Sequence, residues 1–280
     1  MPDTLGTMRI NRRKVTSFNR TLYAFFRRGR RDLPWRRTAN PYCILVSEVM
    51  LQQTQVPRVV GKYREFLRTF PTIRSLAAAP LPRLIRVWQG MGYNRRALYL
   101  RRASQDILKR HRGRVPHTVE SLSQLPGIGV PSASAIAVYA YNQPVAFIET
   151  NVRAVFIHHF FPRRRRVHDR EILPLVAAAL DRRNPRRWYQ ALMDYGTWLK
   201  RTAGNASRRS AHYVRQSRFE GSRRQIRGRI LRSLVTGPMT RRELIAHVGS
   251  PWRVLQSIFG DLAAEGFVLR HGLRYALSSQ

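Results

Sequence analysis

The spacing of hydrophobic residues predicts helices along most of the first two hundred residues. Asn40 followed by Pro41 pairs an N-cap residue with a proline at the first helical position, so a helix is predicted from there to about Gln53. Thr118 is predicted to cap a shorter helix. Since no long stretch alternates with a β period, residues 15–199 are predicted to form an all-α domain.

The pattern changes on both sides of this domain. Residues 1–14 are polar and basic, and we predict that they are disordered; residues 200–222 lose apolar periodicity and are predicted to be a linker. Residues 223–280 predict three helices followed by a hairpin, with a capping box of Thr240 and Glu243 opening the second helix.

This order of elements is that of a winged helix, a small α+β domain whose third helix commonly enters the major groove of DNA. The alternative is a protein-docking module, because the third helix offers only Arg253 and Gln256 as obvious side chains for reading bases.

Charge narrows the class of partner. The 280 residues include 52 Lys and Arg against 15 Asp and Glu, a formal net charge of +37. A GC-rich coding bias accounts for arginine in place of lysine, but it does not account for the shortage of acids. A surface of this sign attracts polyanions, of which DNA is the commonest.

Cysteine usage and hydropathy indicate where in the cell the protein is expected. Cys43 is the single cysteine, so one chain can form neither a disulfide nor a cysteine metal site. No apolar run approaches the roughly 18 residues of a membrane span, and the first residues lack the apolar core of a signal peptide. We therefore expect a cytoplasmic, nucleoid-associated protein with no membrane partner.

One glycine-containing segment predicts an anion site. Residues 125–129 read LPGIG, and glycines at positions 127 and 129 permit a hairpin tight enough to turn backbone N–H groups outward. A helix starting at about Pro131 adds its positive end, which suits a DNA phosphate. The alternative is a plain turn between packed helices.

Five motifs carry a resemblance to a known family. The chain resembles the helix-hairpin-helix (HhH-GPD) DNA glycosylases, and among them the MutY-type adenine DNA glycosylases. The resemblance implies a two-lobed helical domain with its active site in the cleft between the lobes, acting on double-stranded DNA that contains a lesion or mismatch. We predict a monomer, because a protein that scans DNA for lesions needs no symmetry. The motifs are RRDLPWR (30–36), NPYCILVSEVMLQQTQV (40–56), QGMGYNRRA (89–97), LPGIG (125–129) and YQALMDYG (189–196).

Glu48 is the first candidate catalytic residue. On the predicted helix its neighbours one turn away are Ile44, Leu45 and Leu51, and a carboxyl group among aliphatic side chains has a raised pKa suited to a general acid. The resemblance implies that this glutamate protonates the purine ring. The alternative is a surface glutamate on an amphipathic helix.

Glu149 is the second candidate, and it departs from the family. The resemblance implies an aspartate here that stabilises the oxocarbenium-like sugar and helps water to attack, whereas this chain has a glutamate, one methylene longer. The alternative is an acidic helix-capping residue.

Pro131 also departs from the family, because bifunctional relatives have a lysine nucleophile there. We therefore predict no AP-lyase activity.

The resemblance also assigns residues that bind DNA and the extruded base. Gln53 and Tyr93 match the family's wedging and intercalating residues, although Tyr93 is also suited to a core position. Trp35 matches the base pocket and has the same alternative. The full pocket set is Arg31, Trp35, Arg36, Leu51 and Asp194, and the hairpin set expected to contact DNA is Gly127, Gly129, Pro131 and Ser132.

Two further departures concern a cofactor and a domain. Relatives bind an iron–sulfur cluster through four cysteines, and the matching positions here are Lys200, Ser207, Ser210 and Gln216, so we predict no cluster. The resemblance leaves open only a monovalent cation at the hairpin. Residues 223–280 do not look like the Nudix-like domain with which relatives read 8-oxoguanine.

We therefore predict a monofunctional DNA N-glycosylase of base excision repair, with adenine as the first choice of excised base. A thymine or uracil mismatch glycosylase is the alternative among enzymes. A catalytically inactive protein that binds lesions or regulates is the alternative from another class, and an intact Glu48 motif argues against it.

Overall fold

The structure is a computed structural model that describes residues 11–215 and 218–278, and it is mainly helical. The helices are α1 (Arg12–Arg28), α2 (Pro41–Leu51), α3 (Val56–Thr69), α4 (Ile73–Ala77), α5 (Leu81–Trp88), α6 (Arg95–Arg110), α7 (Val119–Ser123), α8 (Val130–Tyr141), α9 (Thr150–Phe160), α10 (Asp169–Ala179), α11 (Pro185–Thr202), α12 (Arg223–Leu234), α13 (Arg241–Val248) and α14 (Trp252–Ala264). The strands are β1 (Met239–Thr240), β2 (Val268–His271) and β3 (Arg274–Leu277), and short 3₁₀ turns cover Pro34–Arg36 and Ala206–Arg209.

Internal contacts divide the chain into two compact units. The described part of the first unit comprises residues 11–32 and 133–215, and that of the second comprises residues 33–132 and 218–278. Residues 15–199 were predicted as one domain and 223–280 as another. The observed division instead groups the C-terminal residues with the segment 33–132.

The first unit has a core built from α1, α9, α10 and α11. Phe18 and Leu22 of α1 are buried against this core, as are Phe156 of α9 and Trp188 of α11. Burial of such large apolar side chains contributes about 1.5–3 kcal/mol each to folding. In this unit the prediction of an all-helical fold holds for the described residues.

The predicted start of the first helix was late. Asn11 accepts a hydrogen bond from the backbone N–H of Lys14 at 3.1 Å, so α1 begins at Arg12 and residues 12–14 are helical rather than disordered. Residues 1–10 of the predicted disordered terminus lie outside the described residues.

The predicted linker at 200–222 was wrong over its first half. Helix α11 continues to Thr202, and Ser207 in the following 3₁₀ turn is buried. The backbone of Val167 pairs with this segment, because its N–H donates to Arg209 O and its carbonyl accepts from Ala211 N–H, both at 2.9 Å. Backbone pairing and capping hold this segment, and neither produces a hydrophobic period.

The second unit opens with the helix that was predicted at Asn40. The Asn40 side chain accepts hydrogen bonds from the backbone N–H groups of Tyr42 and Cys43, and Pro41 occupies the first helical position. The helix ends two residues early, because Gln52 has an extended ψ of 114° and Gln53 a φ of 53°. Thr118 caps α7 as predicted.

The C-terminal residues form three helices and a small antiparallel sheet. Thr240 and Glu243 make the predicted capping box at the start of α13, and Gly272, with φ 58°, lies in the turn between β2 and β3. Strand β1 was not predicted, and it adds to β3 to give the order β1-β3-β2. The third helix begins at Trp252, one residue later than Ser250-Pro251 suggested.

A single glutamate joins this C-terminal part to α6 of the same unit. The carboxylate of Glu265, at the end of α14, forms ion pairs with Arg95 of α6 and Arg227 of α12. Its backbone carbonyl accepts a hydrogen bond from Arg102 Nη2 at 3.1 Å. The charges that join the two segments are separated by 170 positions in sequence, so no local pattern predicts them.

Candidate active site

Glu48 lies on α2 in the second unit and is partly buried. The helix turns Ile44 and Leu45 into the core, where they are 2% and 0% exposed, while Leu51 is half-buried. The two aliphatic residues one turn before Glu48 are therefore buried, and the aliphatic surroundings of its carboxyl group stay a prediction. A raised pKa for this carboxyl group stays a prediction.

Arg96 fixes the end of the helix that carries Glu48. Its guanidinium is buried inside the second unit, and burial lowers its pKa to about 10. The same group reaches both the last turn of α2 and the turn before Tyr93, so it ties these two segments together. Its hydrogen-bond acceptors are the carbonyls of Val49, Met50 and Gln52 at 2.8, 2.8 and 2.6 Å, Thr54 Oγ1 at 2.9 Å, and the carbonyls of Met91 and Gly92 at 3.2 and 3.1 Å.

The two wedge candidates share an uncommon backbone conformation. Gln53 has φ 53° and Tyr93 has φ 46°, in the left-handed region that side chains with a Cβ rarely adopt. Such strain persists where surrounding structure holds it, and it clusters at functional sites. Gln53 is exposed and Tyr93 is half-buried, and their entry into a duplex stays a prediction.

Tyr93 also contacts an arginine of the C-terminal part. Its phenolic oxygen accepts a hydrogen bond from Arg224 Nη1 at 2.5 Å, and the Arg224 guanidinium lies 5.5 Å from the centre of the ring. The Arg96 guanidinium is also 5.5 Å from the ring centre. Sequence reasoning missed Arg224, because α12 is distant in sequence.

The LPGIG segment forms the expected tight turn before α8. Gly127 has φ 76°, and a Cβ there would lie 2.7 Å from Tyr99 Cβ, so only glycine fits. Gly129 and Pro131 are exposed, and Ser132 is half-buried. Ser132 Oγ accepts a hydrogen bond from Gln52 Nε2 at 3.0 Å, which links the end of α2 to the start of α8.

Three of the proposed base-pocket residues lie in the second unit. Trp35, in the 3₁₀ turn Pro34–Arg36, is buried with its ring edge-on to Tyr63 at 5.6 Å, as its core alternative required. Arg36 and Leu51 are half-buried.

The other two pocket candidates form an ion pair in the first unit. Arg31 Nε lies 2.5 Å from Asp194 Oδ1, and the Arg31 backbone N–H donates to Asp194 Oδ2 at 3.1 Å. Asp194 on α11 is only 4% exposed. The charge-assisted bonds therefore attach Arg31, the first residue of the segment 31–36, to a buried carboxylate.

Glu149 caps α9 in the first unit. Its Oε1 accepts hydrogen bonds from the backbone N–H groups of Asn151 at 2.6 Å and Val152 at 3.0 Å. Burial raises the pKa of Glu149, while the Val152 N–H, Lys200, the Asn151 N–H and Arg153 act to lower it. The capping role given above as the alternative is real, and it fixes one oxygen of the carboxylate while Oε2 points to the Asn151 side chain.

The positions of the family's cluster ligands do not suit an iron–sulfur cluster. Lys200 is an ammonium that donates to Asn151, Ser207 Oγ donates to Asn205 Oδ1 at 2.6 Å, and Ser210 Oγ accepts from the His212 backbone N–H at 3.0 Å. None of them is a thiolate, and each polar group is already used. Gln216 lies outside the described residues. Over residues 11–215 and 218–278, no group of three or more His, Cys, Asp or Glu is arranged to hold a metal ion.

Comparison with known proteins decides the family. A family model described as HhH-GPD superfamily base excision DNA repair protein matches residues 46–173. The adenine DNA glycosylase of Mycobacterium tuberculosis (strain ATCC 25618 / H37Rv) is 33% identical over 266 residues, which cover 86% of this chain and 88% of that protein. The chain belongs to the adenine DNA glycosylase family of HhH-GPD proteins.

This family member is a DNA glycosylase of base excision repair. Its fold is similar to that of a thermostable thymine-DNA glycosylase, with a TM-score of 0.59, 23% identity, and coverage of 66% of this chain and 86% of the other. It is also similar to a trapped endonuclease III–DNA covalent intermediate, with a TM-score of 0.59, 16% identity, and coverage of 77% and 94%. Within the described residues, none of the helices combines the length and apolar character needed to cross a membrane.

Proposed function

We propose that this DNA glycosylase is monofunctional and hydrolyses the N-glycosyl bond of adenine mispaired in duplex DNA. The observation that carries the proposal is the bonding of Arg96. One buried guanidinium holds both the end of the helix that bears Glu48 and the turn that bears Tyr93. A general acid and an intercalating side chain on one rigid frame are what extraction and protonation of a stacked base require.

Glu48 is the general acid in this proposal. Its proton passes to the adenine ring, and the C1′–N9 bond then breaks with its electron pair leaving on the base. Adenine is favoured because the relative above is named for adenine and because the QQT and GYNRR runs fit that class.

Glu149 stabilises the sugar cation that the departing base leaves behind. An ionised carboxylate lowers the energy of the oxocarbenium-like state, and water then adds its oxygen to C1′ while its proton passes to the carboxylate. The helix-capping bonds to one oxygen hold the group in place through this step. The products are free adenine and an abasic site.

The exposed proline at position 131 supports a monofunctional reaction. A lyase needs an amine to form a Schiff base with the sugar, and Pro131 offers none. Gly127, Gly129 and Ser132 form a turn at a helix start, which in this proposal binds a phosphate of the DNA strand. The same turn is where a monovalent cation would sit.

The C-terminal part acts in this proposal as a winged helix that binds DNA. Its helix-strand-helix-helix-hairpin order and its β1-β3-β2 sheet support that assignment. The arginines exposed on its second and third helices and on its hairpin support DNA as the partner. They are Arg241, Arg242, Arg253, Arg270 and Arg274.

We further propose that the enzyme works without an iron–sulfur cluster, as a monomer, on the nucleoid in the cytoplasm. The cluster positions hold groups that are not thiolates, and the backbone pairing at Val167 takes over the bracing of the loop. The absorbance band of an iron–sulfur cluster in the purified protein would contradict the absence of a cluster. A dimer detected by light scattering would contradict the monomeric state.

Base release from labelled duplexes tests the function. The panel holds adenine opposite 8-oxoguanine, adenine opposite guanine, thymine or uracil opposite guanine, and uracil opposite adenine, each with and without hot alkali. We expect strand breaks only after alkali, and in the adenine duplexes. Release of thymine or uracil instead would reassign the substrate, and tight binding with no release would leave a lesion-binding protein.

A further inference from the structure

Helix α11 approaches the first turn of α9 unusually closely at Gly196. A Cβ built on Gly196 would lie 2.8 Å from Asn151 Cβ and 3.0 Å from the Asn151 carbonyl oxygen, so any larger residue would force the helices apart. Lys200 follows Gly196 by one helical turn on the same face of α11. The close approach therefore brings Lys200 against the start of α9, where Glu149 is the cap.

A chain of polar contacts leads from Lys200 to Glu149. Lys200 Nζ donates a hydrogen bond to Asn151 Oδ1 at 2.7 Å, and this bond decides which way the Asn151 amide points. The amide nitrogen then faces Glu149 Oε2 at 3.4 Å and Met193 Sδ at 3.5 Å. Since the backbone N–H groups of α9 hold Oε1, the side chain of Asn151 is the described contact of Oε2.

Among the described residues, Lys200 and Arg153 are the cations that act on the pKa of Glu149, and Tyr189 also interacts with it. Arg153 is bound to Asp169 through two bonds of 2.8 and 2.7 Å, so much of its charge is balanced there. Tyr189 adds a neutral hydroxyl. The described partner of Lys200 is a neutral amide, and its positive charge therefore remains to act on Glu149. Burial lowers the pKa of Lys200, while Glu149 acts to raise it.

The residue type at position 200 is itself informative. Only four of the 52 basic residues are lysines: Lys14, Lys62, Lys109 and Lys200. A lysine ammonium is a compact charge that fits one amide oxygen, whereas a guanidinium needs room for a planar fork. This half-buried position is also the one where relatives have the first cysteine of their cluster.

We propose that Lys200 is a positioning residue for Glu149, acting through Asn151 and through its own charge. It orients the amide that faces Oε2, and so holds a glutamate in the place of the family's shorter aspartate. It also balances the negative charge that the carboxylate needs in order to stabilise the sugar cation. The proposal rests on the proposed role of Glu149, and it gives the vacated cysteine position a task in the reaction.

The first test reads the carboxyl group directly and does not depend on activity. The eight glutamates are labelled with ¹³C at the carboxyl carbon, and Glu149→Gln assigns the signal. We expect the pKa of Glu149 to rise by about one in Lys200→Met, because the variant loses a cation that acts to lower this pKa. Lys109→Met, which removes an equal charge from an exposed site on α6, should leave the signal in place. Equal titration curves for Glu149 in the wild type, Lys200→Met and Lys109→Met would overturn the proposal.

The second test is the pH profile of single-turnover base release. If Glu149 must be ionised, the acid limb of the profile should shift to higher pH in Lys200→Met. At a pH on that limb, the rate of base release should then fall by about tenfold. Lys200→Arg, which restores the charge, should recover part of the loss, and Lys109→Met should match the wild type. A lower melting temperature with an unmoved profile would show a merely structural lysine. No release by the wild type would overturn the proposed function, and the titration would still decide the role of Lys200.

Discussion

Arg224 donates a hydrogen bond to the phenolic oxygen of Tyr93 at 2.5 Å and places its guanidinium 5.5 Å from the ring centre. The contact joins the C-terminal helix α12 to the residue that matches the family's intercalating side chain. The backbone of Tyr93 is held at a positive φ, and the Arg224 contact also restricts its side chain. Less side-chain conformational entropy is then lost when Tyr93 binds DNA.

We therefore predict that Arg224→Gln weakens binding to duplexes containing adenine opposite 8-oxoguanine by about tenfold, or 1.4 kcal/mol. Fluorescence anisotropy at fixed salt measures this loss. Arg232→Gln removes the same charge from an exposed site on the same helix, so the difference between the two variants isolates the contact with Tyr93. Equal losses in both would mean that only charge matters.

Buried Arg96, which ties the end of α2 to the turn before Tyr93, gives a second prediction. Arg96→Lys replaces a planar group that reaches six acceptors by an ammonium with three donors, so several buried carbonyls lose their partners. The free energy of unfolding should fall by about 3 kcal/mol in urea denaturation. Arg102→Lys on the same helix, whose exposed guanidinium donates to the Glu265 carbonyl, is the control and should cost less.

A third prediction concerns acid stability. Burial, together with His158 and Lys14, lowers the pKa of His159 to about 4, and its Nε2 lies 2.9 Å from Tyr195 OH. The unfolded chain takes up this proton near pH 6.5 but the folded chain does not, so stability is lost as pH falls from about 6.5 to about 4.

After a discount for partial exposure, we expect the imidazole to account for about 2 kcal/mol of that loss. Denaturant unfolding of His159→Gln across this range measures it, since the variant should show a shallower decline. His271→Gln, at an exposed strand end, should follow the wild type. An unchanged slope in His159→Gln would contradict the assignment.

A fourth prediction follows from Pro131. Since Pro131 at the start of α8 offers no amine, borohydride should trap no covalent adduct between the enzyme and adenine-mispair DNA, while a lysine-bearing endonuclease III incubated with abasic-site DNA should form one. Denaturing gel electrophoresis reads the adduct. A trapped band from the wild type would show that another amine attacks the sugar.

Local signals in the sequence were reliable where the structure is local. Asn40 and Pro41 set the start of α2, Thr118 set that of α7, and Thr240 with Glu243 set that of α13, because each cap is satisfied within three residues.

The contacts that organise the candidate site could not be predicted in this way. Arg96 binds carbonyls more than forty positions away, and Lys200 binds Asn151 from 49 positions away, so only the folded chain brings them together. The segment after Thr202 looked like a linker because backbone pairing holds it, and β1 is too short to alternate.

Single-turnover release of adenine by Glu48→Gln is the most direct test of the central claim, that Glu48 is the acid of a hydrolytic glycosylase. The amide keeps the shape of the side chain but cannot give a proton, so the rate should fall by about 10² to 10⁴ while binding of the duplex is retained. Release at the wild-type rate from the Glu48→Gln protein would contradict the account.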